Sequence, residues 1–115
     1  MKKQCCECKQ DVYELTKDEL LIWINNKLLT CENESFLKKH GKIFKDGFKK
    51  LLEEIIDEIS IYIHTDEINI DCKYLLNYLE DEYMVIQCNM NVDHQYQYGV
   101  MAACKELMYF IEDGK

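Results

Sequence analysis

Apolar and polar residues follow one another along this chain in two different rhythms. From Leu15 to Leu29 the rhythm is helical: Leu20, Trp23, Ile24 and Leu28 recur every three or four positions, the spacing that lines up one face of a helix. Thr16 stands ahead of this run with Glu19 three places on, the pairing of a capping box. The same rhythm returns over residues 36–58, with Leu37, Phe44, Phe48, Leu51, Leu52, Ile55 and Ile56 as the stripe. The stretch TCENES between them reads as a loop, and Ser35 reads as the cap of the second helix. Gly41 and Gly47 fall inside that helix, where each costs about 1 kcal/mol relative to alanine.

The second rhythm has period two. Ile59, Ile61 and Ile63 alternate with Ser60, Tyr62 and His64, and Ile68 and Ile70 alternate with Asn69 and Asp71. Folding the chain at His64–Glu67 pairs Ile63 with Ile68, Ile61 with Ile70 and Ile59 with Cys72 on one face, as a hairpin register requires. Residues 84–92 alternate again, with Met84, Ile86, Cys88, Met90 and Val92 on one side. The segment KYLLNYLEDE between them reads as a short helix. The tail is a longer one, turning Val100, Ala103, Cys104, Leu107, Met108 and Ile111 inward. This pattern predicts an α+β domain, with a small antiparallel sheet of about three strands packed against about four helices. The wet face of that sheet would present Tyr62, His64, Asn69, Gln87, Asn89 and Asn91.

A rival drawing is an all-α antiparallel helix bundle, with residues 36–63 and 66–90 each a single amphipathic helix. The absence of proline, the four glycines and the lack of a breaker near Glu58 or Glu82 favour it. Ile61 and Ile63 would make one helix end hydrophobic all round, and NMNVD is poor helix material. On those grounds the α+β drawing is preferred. A faint echo also links Phe44-x-x-Gly47-Phe48, Leu51-Leu52 and Ile55-Ile56 to Tyr96-x-x-Gly99-Val100, Ala103-Cys104 and Leu107-Met108. Any two amphipathic helices with a glycine can produce it, so the sequence alone does not claim a duplication.

At 115 residues the chain reads as one domain over 16–115, preceded by a cysteine-containing lead-in over 1–15. No apolar run approaches the ~20 residues of a membrane helix, and the polar start has no signal-peptide core. A cytoplasmic protein is expected. The Lys-, Ile- and Asn-rich composition without proline or arginine suggests an AT-rich coding sequence. That points to a bacterium, or to the host cytoplasm if the chain is phage-encoded.

Charge narrows the function. The net charge is −8, from 14 lysines and no arginine against 22 acids. Such a chain lacks the arginine forks that grip phosphate and guanine, so direct nucleic-acid binding is not expected, and neither is a membrane. A basic protein is the better partner, since opposite potentials steer encounter. The second helix divides its charge, with Lys38, Lys39, Lys42, Lys45, Lys49 and Lys50 first and Glu53, Glu54, Asp57 and Glu58 after. This opposes the helix macrodipole at both ends. Compensating charge on antiparallel neighbours is the preferred account; a basic patch that binds an acidic group is the other.

Seven cysteines remain to be placed. Cys5 and Cys8 form a CxxC, half of a zinc site, but no second CxxC follows. Cys5, Cys8, Cys31 and His40 are the candidate metal ligands, and Cys6 could substitute. The plainer reading is reduced thiols near the start, with Cys72, Cys88 and Cys104 serving as small core residues. No P-loop, no G-x-S-x-G, no H-E-x-x-H and no di-iron E-x-x-H occurs. The chain therefore reads as a non-enzymatic small acidic binding protein. It would regulate or inhibit a basic, nucleic-acid-handling protein, in the manner of immunity proteins or anti-CRISPR proteins. The partner-binding candidates are Glu53, Glu54, Asp57, Glu58, Tyr74, Tyr78, Glu80, Asp81 and Glu82: carboxylates for lysine and arginine, tyrosines for desolvated contact. The alternative is a zinc-stabilised protein–protein adaptor, and beyond that zinc no cofactor is expected.

Overall fold

The computed structural model describes residues 2–4, 11–13, 15–63 and 69–113. It is helical. After a ribbon of two three-residue strands, β1 (Lys2–Gln4) and β2 (Asp11–Tyr13), come α1 (Lys17–Cys31), α2 (Glu34–His40), α3 (Lys42–Ile63), α4 (Cys72–Cys88) and α5 (His94–Asp113). β1 and β2 pair antiparallel, Lys2 opposite Tyr13 and Gln4 opposite Asp11.

The α+β drawing is thereby corrected in favour of the bundle. Ile59 lies inside α3, and Met84, Ile86 and Cys88 lie inside α4. The turn of the expected hairpin, residues 64–68, lies outside the described residues. The physical reason is burial. In α3 the residues removed from water are Phe48, Leu51, Leu52, Ile55 and Ile59, a three-and-four repeat that outweighs the local alternation of isoleucines. In α4 they are Leu75 and Leu79, while Met84 stays 62% exposed. The expected apolar strand face over 84–92 is thus mostly outside, with Met84, Cys88 and Met90 exposed and Ile86 and Val92 half-buried. No wet sheet face exists for Asn69, Gln87, Asn89 and Asn91 to share; Tyr62 and His64 have no described side chains.

Two local details also differ. Gly41, at φ +85°, ends α2 and separates it from α3, a backbone conformation that side-chain-bearing residues rarely adopt. Asn33, not Ser35, occupies the N-cap of α2. The capping box on α1 is present as expected: Glu19 N–H donates to Thr16 Oγ1 at 3.1 Å, and Thr16 N–H donates to Glu19 Oε1 at 3.3 Å.

The helices run up, down, up, down. Trp23 stacks on Phe110 and Lys27 reaches Glu106, so α1 is antiparallel to α5. The innermost contact joins the parallel pair α3 and α5. A Cβ added to Gly47 would collide with the Tyr96 carbonyl and lie 3.2 Å from the Val100 nitrogen. A Cβ added to Gly99 would collide with the Phe44 carbonyl and lie 2.9 Å from the Phe48 nitrogen. Each helix thus presses its glycine against the backbone of the other, at matching places.

That match extends through the core. The sequence echo between residues 44–56 and 96–108 is the signature of an approximate internal two-fold. Buried Leu15, Leu20 and Ile24 correspond to buried Ile70, Leu75 and Leu79 at one constant spacing. Buried Phe48, Leu51, Leu52, Ile55 and Ile59 correspond to Val100, Ala103, Cys104, Leu107 and Ile111 at another. The caps of α1 and α4, Thr16 and Asp71, obey the first spacing. Where the two halves start they touch: Ile70 N–H donates to the Leu15 carbonyl at 2.7 Å, and Thr16 bridges Asn69 antiparallel. One helical pair is α1 with α3, the other α4 with α5, and α2 belongs to the first alone.

Gly47→Ala and Gly99→Ala are expected each to lower stability by about 1–3 kcal/mol through overpacking, although alanine is the better helix former. Urea denaturation measures this, and similar losses at the two sites are the result the symmetry demands.

Candidate partner-binding face on α3 and α4

The acids and tyrosines singled out in the sequence lie on two neighbouring helices. Tyr74, Tyr78, Asp81 and Glu82 recur along α4 at intervals of three or four, which places them along one side of that helix. α3 runs antiparallel beside them. The Tyr74 hydroxyl donates to Glu58 Oε2 at 3.2 Å, and one turn on, Tyr78 feels the charges of Glu82, Glu54 and Glu58. The structure therefore brings Glu54, Glu58, Tyr74, Tyr78, Asp81 and Glu82 together. Glu53 and Asp57 on α3 and Glu80 on α4 are exposed; Glu80, two residues from both Tyr78 and Glu82, lies off the side of α4 that they share.

Electrostatics show the strain in this arrangement. Glu82 is held above the usual carboxylate range by partial burial first, and then by the like charges of Glu54, Asp81 and Glu58. Tyr78 is pushed up to about 12 by burial and then by the charges of Glu82, Glu54 and Glu58. The Cys104 thiol beneath is also pushed up to about 12, by burial and by Glu82 and Glu54. Among the described residues, Lys50 approaches from the chain itself and lies 3.9 Å from Glu54, an exposed pair worth well under 1 kcal/mol.

The internal two-fold supplies a comparison. The groove between α1 and α5 is the counterpart of the groove between α4 and α3. Lys27 corresponds to Glu82, Glu106 to Glu54, Trp23 to Tyr78 and Phe110 to Glu58. In the α1–α5 groove Lys27 Nζ sits 2.8 Å from Glu106 and 5.3 Å from the centre of the Trp23 ring. Trp23 and Phe110 stack with ring centres 5.1 Å apart. One groove is closed by an ion pair and an aromatic stack. The other sets carboxylate against carboxylate.

No known protein identifies the chain. No family model matches it, and no curated protein or solved structure does so either. The site rests on its own geometry.

Cys5, Cys6 and Cys8 lie outside the described residues. Cys31 is fully buried, with Sγ donating to the Leu28 carbonyl at 3.0 Å and its thiol raised by burial. His40 is stacked on Phe44, ring centres 4.3 Å apart. Among the described residues no group of three His, Cys, Asp or Glu side chains is arranged to hold a metal. Cys104 is core, as expected; Cys72 is half-buried and Cys88 is exposed.

Sequence reasoning missed Gln97. It is 7% exposed, and its Nε2 donates to the carbonyls of Ile86 at 2.8 Å and Asn89 at 2.7 Å. It ties off the carbonyl end of α4, where a lone buried acceptor would cost about 1–3 kcal/mol. Its counterpart in the other half is Lys45, which reaches back to Glu32 at the end of α1 at 2.9 Å. A polar residue on an otherwise apolar helix face, one turn past a loop, was the available signal.

A raised folded-state carboxyl means the folded chain holds a proton more tightly than the unfolded one. The stability it confers is complete below the unfolded value and is lost as pH rises through the folded one. Glu82→Gln is therefore expected to stabilise the protein near neutral pH, by up to about 1 kcal/mol. The gain should vanish toward pH ~4, where wild-type Glu82 is itself neutral; urea melts at the two pH values measure the difference. Among Cys31, Cys72, Cys88 and Cys104, native-state alkylation mapped by mass spectrometry should label Cys88 first and Cys31 and Cys104 only on unfolding.

Proposed function

We propose that this chain is a non-catalytic binding protein that docks on a basic protein surface through the α3–α4 face. The observation that carries the reading is the contrast between the two symmetry-related grooves. A fold that closes one groove with Lys27–Glu106 and Trp23–Phe110 has a ready solution for the other and does not use it. Keeping Glu54, Glu58, Asp81 and Glu82 together instead costs stability of order 1 kcal/mol. Departures from local consistency of this kind concentrate at functional sites. A lysine or arginine from outside would relieve the repulsion, and Tyr74 and Tyr78 offer rings and hydroxyls for desolvated contact.

The partner class follows from chemistry. Surfaces rich in lysine and arginine belong above all to proteins that hold nucleic-acid phosphates, and a carboxylate face of this shape competes for the same side chains. The reading is a regulator or inhibitor of such a protein, in the manner of immunity or anti-CRISPR proteins. Association would be steered by charge and would weaken as salt screens it.

The decisive variant is Glu82→Lys. It rebuilds on α4 the ion pair already present as Lys27–Glu106, so it should fold at least as stably as wild type. Poly-lysine is the defined probe and Glu34→Lys the control, since both variants change net charge equally. The expected result is salt-sensitive binding by wild type and Glu34→Lys, reduced at least tenfold in Glu82→Lys, with the same ranking for basic proteins retained from a bacterial lysate. Equal loss in the two variants would reduce the effect to bulk charge and overturn the reading.

A further inference from the structure

The lysines of α2 and of the first half of α3 fall into two groups. Lys45 and Lys49 both meet Glu32, at 2.9 and 3.5 Å, and Lys50 approaches Glu54 at 3.9 Å. Neighbouring carboxylates explain those three. Lys38, Lys39 and Lys42 form no ion pair among the described residues. Glu34 and Asp46, the acids of the adjacent turns, do not come within salt-bridge distance of them.

These three lysines line one cleft. It has a volume of about 460 Å³ and lies where α2 turns into α3 at Gly41, with Gln95 from the first turn of α5 on its far side. Its apolar wall is fixed: Phe44 stacks on His40 at 4.3 Å between ring centres, and Phe36 packs on His40 at 4.7 Å. α2 is the element with no counterpart in the second half, so the cleft occurs once in the molecule. In a chain of net charge −8, three uncompensated cations around one concavity make a local field opposite in sign to the whole.

We propose that this cleft binds an oligophosphate, a chain of two or three phosphoryl groups, free or as the tail of a nucleotide. Lysine acts on phosphate as a point charge, and three of them match the charge of such a chain. The volume lies within the range of small-molecule sites and exceeds what one phosphate needs. The site is separate from the α3–α4 face and does not depend on the function proposed for it.

Calorimetric titration of the full chain with inorganic tripolyphosphate at low salt, followed in parallel by NMR of His40 and the lysines, tests the assignment. One saturable site is expected, with Kd of about 0.1–1 mM. Lys38→Gln, Lys39→Gln and Lys42→Gln should each weaken it about two- to fivefold, and Lys73→Gln, on α4, should leave it unchanged. ATP and adenosine are the second and third arms. Equal affinity for ATP and tripolyphosphate assigns the site to the phosphate chain alone. Tighter ATP binding, with adenosine perturbing the same residues, assigns it to a nucleotide. Absence of saturable binding, or equal weakening by Lys73→Gln, would overturn the proposal.

Discussion

The rest of the structure depends on the place where α3 and α5 meet backbone to backbone. Gly47 against the Tyr96 carbonyl and Gly99 against the Phe44 carbonyl leave no room for a side chain on either helix. Close approach there draws Phe48, Leu51, Leu52 and Ile55 against Val100, Ala103, Cys104 and Leu107, all removed from water. It also makes the parallel pair the short diagonal of the bundle. α1 and α4 are left to cover its two sides, each forming a groove with the more distant member of the pair.

From that geometry comes the division of labour between the grooves. Both are built from equivalent positions, so the backbone alone does not distinguish them. Side chains do. The α1–α5 groove is bridged by an aromatic stack and a lysine–glutamate pair. The α3–α4 groove gathers carboxylates, and Glu82 and Tyr78 are raised there by burial first and by the neighbouring negative charges second. A bundle of this size, with stability of order 5–15 kcal/mol, has room for a repulsion of about 1 kcal/mol. The division also runs lengthwise: the first half of α3 offers lysines, the second half acids.

How much of this was legible in the sequence depended on which signal was local. The capping box at Thr16 and Glu19 was readable because it involves one turn of chain, and so were the apolar stripes of α1 and α5. The acidic face was readable as a set of residues, since charge survives any change of secondary structure. Strand against helix was not readable at Ile59 or over residues 84–88, because period two and period 3.6 coincide over such short runs and only burial decides between them. Gly41 and Gly47 looked alike in sequence. One proved to be a break at positive φ, the other a contact point inside a helix. The echo between the halves was visible but uninterpretable until the two glycines were seen to face each other.

The approximate two-fold gives the molecule its own internal reference. Two matching arrangements occur in one chain, and they stand side by side under identical temperature, solvent and crowding. Wherever they agree, the residue answers to the demands of folding. Where they part, as at Lys27 and Glu82, the difference lies in side-chain charge and not in the path of the backbone.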